Sequence, residues 1–180
     1  IGMMVDSGLI SLEETLYDIW PDDEAVWSKV TGVNEFRKNV TIQSLLTTSS
    51  GLISDPINEG TVVDGGDAGG ATLVDSLSFP TEIGESGKFV YNGVLNILSY
   101  VILERSGLSP RQYAAQTVFP SLGIVDSEIE WWKNEDGVET AFHGLFLTNK
   151  QMAKFGQLYL QNGMAGPENR LMSSTWVSNS

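Results

Sequence analysis

An apolar stripe near the middle of the chain predicts a long amphipathic helix. The stripe follows Asn92, and its members fall at positions i, i+3, i+4, i+7 and i+8, the spacing of one face of an α-helix. These members are Val94, Ile97, Leu98, Val101 and Ile102. Gly107 supplies a stop signal after the last turn. Because an apolar helix face has to be covered by another element, the chain must fold as a packed body.

Caps and stops predict further short helices on both sides of this stripe. The signals are a serine or threonine cap, a proline in the first turn, or a glycine past the end. They predict a helix between Ser11 and Pro21, one from Ile42 to Thr48 capped by Thr41, one from Ser109 to Pro120, and one from Thr148 to Gly163. The polar or glycine-rich residues 22–39 and 53–88 are predicted as loops, and Trp131 and Trp132 lie in a short candidate strand.

The pattern as a whole predicts a mainly helical body with almost no strand. We therefore expect Leu98, Val101 and Phe155 to need an external sheet for their burial, and the isolated chain to be unstable or self-associating. The first residues read like the last turns of one helix, and Ser173 like the cap of another. No repeat or linker divides the sequence, so we expect a single domain. Because both ends read like parts of helices, we expect residues 1–180 to be a partial domain of a longer chain.

The composition excludes several classes of partner. The sequence holds 23 acidic and 10 basic residues, a formal net charge of -13 at pH 7, so nucleic acid and anionic membranes are not expected as partners. With no cysteine, disulfides and thiolate metal sites are excluded, and the compartment is left open. No apolar run approaches the roughly 20 residues of a membrane span, and we expect no signal peptide within the first residues given.

Residues 84–88, Gly-Glu-Ser-Gly-Lys, look like the end of a phosphate-binding loop but have the wrong surroundings. A P-loop requires a glycine where Glu82 stands and a serine or threonine where Phe89 stands. The same residues fail as a Gly-x-Ser-x-Gly nucleophile elbow, which belongs on a strand-to-helix turn. The segment therefore predicts a glycine-rich turn and not a nucleotide site.

Tyr91 and His143 are the strongest candidates for a direct role in chemistry or in substrate binding. Tyr91 precedes a helix N-terminus, where free amides and the helix dipole favour an anion such as phenolate, although a tyrosine in this place also commonly packs half-buried. His143 is the sole histidine, and it has no partners at the spacing of a zinc site or a catalytic triad. A substrate contact and a structural role both stay open for it, and no metal site is predicted.

Five segments, in order, resemble motifs of the serine hydrolases related to class C β-lactamases and penicillin-binding proteins. Residues 40–52, Val-Thr-Ile-Gln-Ser-Leu-Leu-Thr-Thr-Ser-Ser-Gly-Leu, are similar to that family's I-T-I-R-H-L-L-T-H-T-S-G-L. Residues 89–93, Phe-Val-Tyr-Asn-Gly, resemble its F-x-Y-S-N. The other matching segments are residues 6–14, 119–124 and 144–159. Together they span nearly the whole chain and resemble most the esterase and 6-aminohexanoate-dimer-hydrolase branch.

The resemblance implies that the chain is the helical subdomain of an α/β, β-lactamase/transpeptidase-like fold. That family takes its nucleophile from a Ser-x-x-Lys turn, and no serine here has a lysine three positions on. We therefore expect the nucleophile helix start and the C-terminal sheet to lie outside residues 1–180. The implied parent is a serine hydrolase that forms an acyl-enzyme on an ester or amide bond, a β-lactam-like one included, with Tyr91 as the catalytic proton-transfer residue and with no cofactor or metal.

Two departures from the family pattern bear on the substrate. Gly93 stands where an asparagine normally donates to the substrate's amide carbonyl, and Asn92 lies one position early. His143 stands where a glycine is usual, directly before Gly144. The resemblance thus assigns these four residues to the substrate cleft and favours an ester or small amide over a β-lactam. The alternatives are a non-catalytic binding or scaffold protein that kept the fold, and a self-contained helical binding domain.

Overall fold

The structure is a computed structural model dominated by short helices. It describes residues 1–21, 24–30, 35–53, 73–78, 82–83, 87–89 and 93–180. The α-helices within these ranges are Gly2–Asp6 (α1), Leu16–Ile19 (α2), Glu24–Trp27 (α3), Glu35–Lys38 (α4), Ile42–Leu46 (α5), Leu73–Ser78 (α6), Ile97–Ser106 (α7), Pro110–Gln116 (α8), Val118–Ser121 (α9), Asn149–Leu160 (α10) and Ser174–Asn179 (α11). The 3-10 helices there are Gly93–Asn96 and Asp126–Glu128.

The strands in the described ranges form three separate two-stranded antiparallel sheets. They are Leu52–Ile53 (β1), Glu82–Ile83 (β2), Glu130–Trp131 (β3), Leu145–Phe146 (β4), Met164–Gly166 (β5) and Asn169–Arg170 (β6). β1 pairs with β2, β3 with β4, and β5 with β6. The prediction of a mainly helical body is therefore confirmed for the part of the chain that the structure describes, although short strands are more numerous there than expected. The candidate strand at Trp131 and Trp132 includes Trp131 but not Trp132.

The caps predicted at Thr41, Ser109 and Thr148 are confirmed. Each hydroxyl oxygen accepts a hydrogen bond from the backbone N–H three residues later, and the side chain at that position accepts one from the cap's own N–H. Such reciprocal capping satisfies amides that the helix cannot pair internally. Gly107 ends α7 with a left-handed φ of 70°, as its stop signal predicts.

The helix cap predicted at Ser11 is wrong, because α2 begins after Thr15. Ser11 N–H does donate to Glu14 Oε2 over 2.7 Å, but the residues between them form a turn. At the true cap, Asp18 Oδ2 accepts from the backbone N–H of Thr15 (2.8 Å) and from its hydroxyl (2.7 Å). These hydrogen bonds lower the pKa of the Asp18 carboxyl. The Thr15–Asp18 pair therefore competes successfully with Ser11 for the helix start.

The two segments predicted as loops contain short helices, so this part of the prediction is wrong. α3 and α4 lie within residues 22–39, while α6 and the β1–β2 pair lie in or beside residues 53–88. Trp27 and Leu77 are buried in the core. Tertiary packing thus stabilises single turns whose local pattern is too weak to predict. The glycine-rich residues 54–72 lie outside the described residues.

Two predicted helices are shorter than expected. The helix predicted from Ser109 to Pro120 is divided at Thr117, which separates α8 from α9. The helix predicted to end at Thr48 stops at Leu46, because Thr48 adopts a left-handed φ of 51°. Within the described residues, no helix combines the length and the apolar character needed to cross a bilayer.

Among the described residues, two apolar cores hold the helices together. The first contains buried side chains of α1, α2, α5 and α7, and the second lies beneath α9 and α10. Leu98 is 5% exposed and Val101 is fully buried in the first core, so the prediction that these two residues need an external sheet is wrong. Phe155 is only partly buried against the second core. It also lines an apolar cavity of about 380 Å³, together with Ile1 and Tyr113.

Candidate functional site

The predicted Tyr91 loop joins the described structure at Gly93. Tyr91 and Asn92 lie outside the described residues, so their roles stay predictions. Gly93 begins the 3-10 helix Gly93–Asn96, which runs directly into α7. Ile97, in the first turn of α7, is fully buried in the first core. The residue that follows Tyr91 and Asn92 is therefore attached to one of the most deeply buried helices of the protein.

His143 and Gly144 lie in the connection between β3 and β4. Trp132 N–H donates to Gly144 O over 2.9 Å, and Thr140 N–H donates to Trp132 O over 3.1 Å. Gly144 has a φ of +80°, and a Cβ atom there would lie 2.7 Å from Trp132 Cβ. The left-handed backbone and the close approach both require glycine. The predicted site residues His143 and Gly144 thus lie together on a tightly constrained hairpin.

The imidazole of His143 is held by three side chains. Its ring lies 3.9 Å from the Phe142 ring, centroid to centroid, with an interplanar angle of 30°. The ring of Trp132 meets it edge-on at 5.5 Å and 85°. Nδ1 lies 3.0 Å from Thr140 Oγ1, and the same oxygen lies 2.7 Å from the backbone carbonyl oxygen of His143. The orientation of the ring is therefore fixed by a stacked ring, an edge-on ring and a contact at Nδ1.

The sequence predictions do not include Thr140, Trp132 and Phe142, although these side chains position His143. The available signal is aromatic: Trp132 precedes the turn of the hairpin, and Phe142 directly precedes His143. Aromatic side chains facing each other across a hairpin stabilise it through cross-strand contacts. The sequence gives no comparable signal for Thr140, because threonine is common in β-strands in general.

Tyr100 of α7 joins the first core to the same hairpin. Its hydroxyl donates to Asp136 Oδ2 over 2.6 Å and accepts from Asn134 Nδ2 over 2.5 Å. Asn134 Oδ1 in turn accepts from Val138 N–H over 3.0 Å. Burial, assisted by the neighbouring Asp136 carboxylate, raises the pKa of the Tyr100 phenol far above its ordinary value. This phenol therefore stays protonated and acts as a structural donor, not as a base.

Tyr100→Phe should destabilise the chain by about 1 to 2 kcal/mol at pH 8, because Asn134 and Asp136 lose their shared partner. A group whose pKa is raised by folding stabilises the folded state fully below its unfolded pKa, about 10 for tyrosine, and less as the pH rises above it. The destabilisation caused by Tyr100→Phe should therefore shrink above pH 10. Urea unfolding of both proteins between pH 8 and 11 measures this trend. A pH-independent difference would contradict it, and Tyr113, whose pKa burial also raises, leaves a residual slope in both proteins.

Glu139 connects the hairpin to the start of α8 through a hydrogen bond. Its side chain is 2% exposed, and Oε2 accepts from the backbone N–H of Arg111 over 3.3 Å. Oε1 lies 3.4 Å from Lys133 Nζ. Arg111 also pairs with Asp126 through two guanidinium contacts of 2.8 and 3.1 Å, which raise the pKa of the guanidinium. In the described residues, no group of three or more His, Cys, Asp or Glu side chains is placed to hold a metal ion.

Solved structures with the same fold cover nearly all of the chain. They include a penicillin-binding protein homologue from Pyrococcus abyssi (18% identity, TM-score 0.64, covering 98% of this chain and 44% of that one). A protein from Bacillus anthracis inferred to be a 6-aminohexanoate-dimer hydrolase is similar at 18% identity and TM-score 0.73 (99% and 48%). A class C β-lactamase from Rhodobacter sphaeroides is similar at 18% identity and TM-score 0.61 (98% and 51%). The chain thus spans about half the length of these relatives.

The family itself is established by sequence. Comparison with curated proteins finds no significant match. A sequence profile of the Beta-lactamase family, however, matches residues 1–180, which is the whole chain. The resemblance seen in the five sequence motifs is therefore confirmed, and the chain belongs to the Beta-lactamase family.

Proposed function

We propose that the chain is the helical part of a serine hydrolase that cleaves an ester or amide bond through an acyl-enzyme. The observation that carries this proposal is the family match over all 180 residues, combined with the Phe-Val-Tyr-Asn-Gly segment at residues 89–93. The attacking serine and the lysine beside it come from outside residues 1–180, since no serine in the chain has a lysine three positions on. Neither a cofactor nor a metal takes part.

Tyr91 is the proton-transfer residue of this scheme. A tyrosine has an ordinary pKa near 10, so it serves as a base near neutral pH only when a neighbouring cation lowers that value. The lysine of the Ser-x-x-Lys turn supplies this cation. Tyr91 then takes the proton of the attacking serine hydroxyl and returns it to the leaving group.

The substrate side of the cleft is formed by Asn92, Gly93, His143 and Gly144. Gly93 has no side chain and offers no donor to an amide carbonyl of the substrate, unlike an asparagine. His143 lies directly before the matching segment 144–159 and adds an imidazole ring with two nitrogen atoms there. Without the asparagine side chain, the cleft cannot donate a hydrogen bond to the amide carbonyl that a β-lactam substrate presents. This loss favours a small ester or a small amide, whose binding depends less on that hydrogen bond.

A fluorophosphonate probe should label the longer protein at one serine outside residues 1–180 and should leave the isolated chain unlabelled. The reason is that the probe reacts only with a serine activated by a neighbouring base. Intact-mass and peptide mass spectrometry measure the labelling, and heat-denatured protein serves as the control. Stoichiometric labelling of a serine within residues 1–180 would contradict the proposed location of the nucleophile. Absence of labelling in the longer protein would favour the non-catalytic binding or scaffold role.

A further inference from the structure

His143 holds a buried nitrogen with no partner. In the part of the chain that the structure describes, Nε2 is inaccessible to solvent and lies within hydrogen-bonding distance of no donor or acceptor. An unpaired buried polar atom costs about 1 to 3 kcal/mol, and the large majority of buried side-chain polar atoms therefore have partners. His143 as a whole is only partly buried, so a small shift of its neighbours would let a donor group reach Nε2 and supply the missing hydrogen bond.

The hydroxyl of Thr140 decides which nitrogen of His143 carries the proton. A threonine hydroxyl has a single proton to donate, and Oγ1 donates it to the carbonyl oxygen of His143 over 2.7 Å. Oγ1 therefore turns a lone pair toward Nδ1, which lies 3.0 Å away, and Nδ1 must be the donor. In the neutral ring the other nitrogen, Nε2, is then unprotonated and acts as an acceptor.

The contacts around the imidazole hold it in the orientation in which Nδ1 is the donor and Nε2 is the acceptor. A flip of the imidazole would take Nδ1 away from Thr140, and the ring lies against Phe142 on one face and meets Trp132 edge-on. Thr140 itself is 1% exposed. Its carbonyl oxygen accepts from Trp131 Nε1 over 2.9 Å, and its N–H donates to Trp132 O. The acceptor character of Nε2 is therefore built into the hairpin.

We propose that His143 Nε2 accepts a hydrogen bond from an N–H or O–H group of the substrate and so selects substrates that carry such a donor. This assignment rests on the proposed hydrolase function, because it takes the donor to be part of the substrate. It also gives His143 a role that a glycine in the same position of the motif cannot have. A site with a fixed acceptor rejects an analogue without the donor, since the acceptor then stays buried and unpaired.

The first experiment reads the tautomer directly. Two-bond ¹H–¹⁵N spectra of histidine-labelled protein distinguish a protonated from a bare ring nitrogen, and the His143 signals are assigned by their absence from His143→Phe. We expect a protonated Nδ1 and a bare Nε2. Thr140→Val, which lacks the hydroxyl oxygen, should move protons to Nε2, whereas Thr140→Ser should retain the wild-type pattern. A protonated Nε2 in the neutral ring of the wild-type protein would overturn the inference.

The second experiment measures selectivity in the longer protein with matched esters. The p-nitrophenyl esters of N-acetylglycine and levulinic acid differ only in an N–H group that replaces a CH₂ group. The esters of 3-hydroxybutyrate and 3-methoxybutyrate test an O–H donor in the same way. We expect kcat/KM to favour the donor-bearing ester of at least one pair by about 5- to 100-fold. His143→Phe should abolish that preference, and His143→Gln, whose amide oxygen can accept, should restore part of it.

The outcomes separate this inference from the proposed function. Turnover of all four esters without a donor preference, or an unchanged preference in His143→Phe, overturns the role of His143 and leaves the hydrolase function standing. Absence of turnover overturns the hydrolase function instead. In that case the Nε2 resonance is followed during titration with N-methylacetamide and with N,N-dimethylacetamide. A shift with the first compound alone supports a donor-binding acceptor, and equal or absent shifts overturn it.

Discussion

If Tyr91 has the proposed proton-transfer role, replacing it by phenylalanine should lower kcat/KM of the longer protein by about 10²- to 10⁴-fold, the usual contribution of a positioned proton-transfer group. The loss corresponds to roughly 2.7 to 5.4 kcal/mol of activation free energy. The change deletes one hydroxyl and keeps the aromatic ring, so it tests the hydroxyl alone. The measurement is kcat/KM on a p-nitrophenyl ester, with the melting temperature recorded for both proteins.

Tyr100→Phe is the matched control for this experiment. It deletes the same hydroxyl from a tyrosine of the helix that follows Tyr91, but the Tyr100 phenol is bound to Asn134 and Asp136. The control should lower the melting temperature and leave kcat/KM within tenfold. If Tyr91 only packs, its substitution should cost at most about 1 to 2 kcal/mol of stability and spare the rate. A rate loss below tenfold with unchanged melting would therefore contradict the catalytic role of Tyr91.

The two tyrosines show how surroundings determine the chemistry of a phenol. Burial and a neighbouring carboxylate both favour the neutral form of Tyr100, and its pKa is raised accordingly. A catalytic phenol needs the opposite surroundings, namely a cation and helix amides that favour phenolate. Tyr100 therefore cannot perform the proton transfer that we propose for Tyr91, even though it lies only nine positions further along the chain.

The sequence predicts those helices whose start or end depends on a single local interaction. The caps at Thr41, Ser109 and Thr148 need only a hydroxyl and a partner three residues later, and a local pattern contains that information. The one-turn helices α3 and α4 have no comparable signal, since they depend on the burial of side chains such as Trp27. The burial of Leu98 without an external sheet is missed for the same reason, because contacts between distant segments are not visible in a local pattern.

The candidate site, like the fold, can be predicted from the sequence only in part. His143 and Gly144 can be singled out from the sequence because they belong to a motif block, with a histidine where glycine is usual. The direction of the imidazole depends on Thr140, Phe142 and Trp132, which only the hairpin geometry brings together. Which ring nitrogen is the acceptor follows from one hydroxyl and its distance to a carbonyl oxygen. No sequence pattern specifies such a contact.

Gly144→Ala should destabilise the protein by about 2 to 5 kcal/mol. An L-residue in the left-handed region costs roughly 1 to 2 kcal/mol, and Gly144 has a φ of +80°. The added Cβ would also lie 2.7 Å from Trp132 Cβ and 3.0 Å from Trp132 Cγ. These atoms sit at the base of the side chain and cannot swing aside, so the hairpin has to shift, with an overpacking cost of about 1 to 3 kcal/mol. Urea unfolding of the variant and the wild-type protein measures the sum.

Gly137→Ala separates the two contributions to this loss. Gly137 lies in the turn of the same hairpin with a nearly equal φ of +75°, but a Cβ there meets no atom within 4 Å. Its substitution should therefore cost only the conformational part, about 1 to 2 kcal/mol. The excess loss in Gly144→Ala then reports the contact with Trp132, and the ¹⁵N signals of His143 should change in that variant alone, because Trp132 also meets the imidazole. Equal losses in the two variants, with unchanged His143 signals, would show that the approach of Gly144 to Trp132 does not determine the geometry of the site.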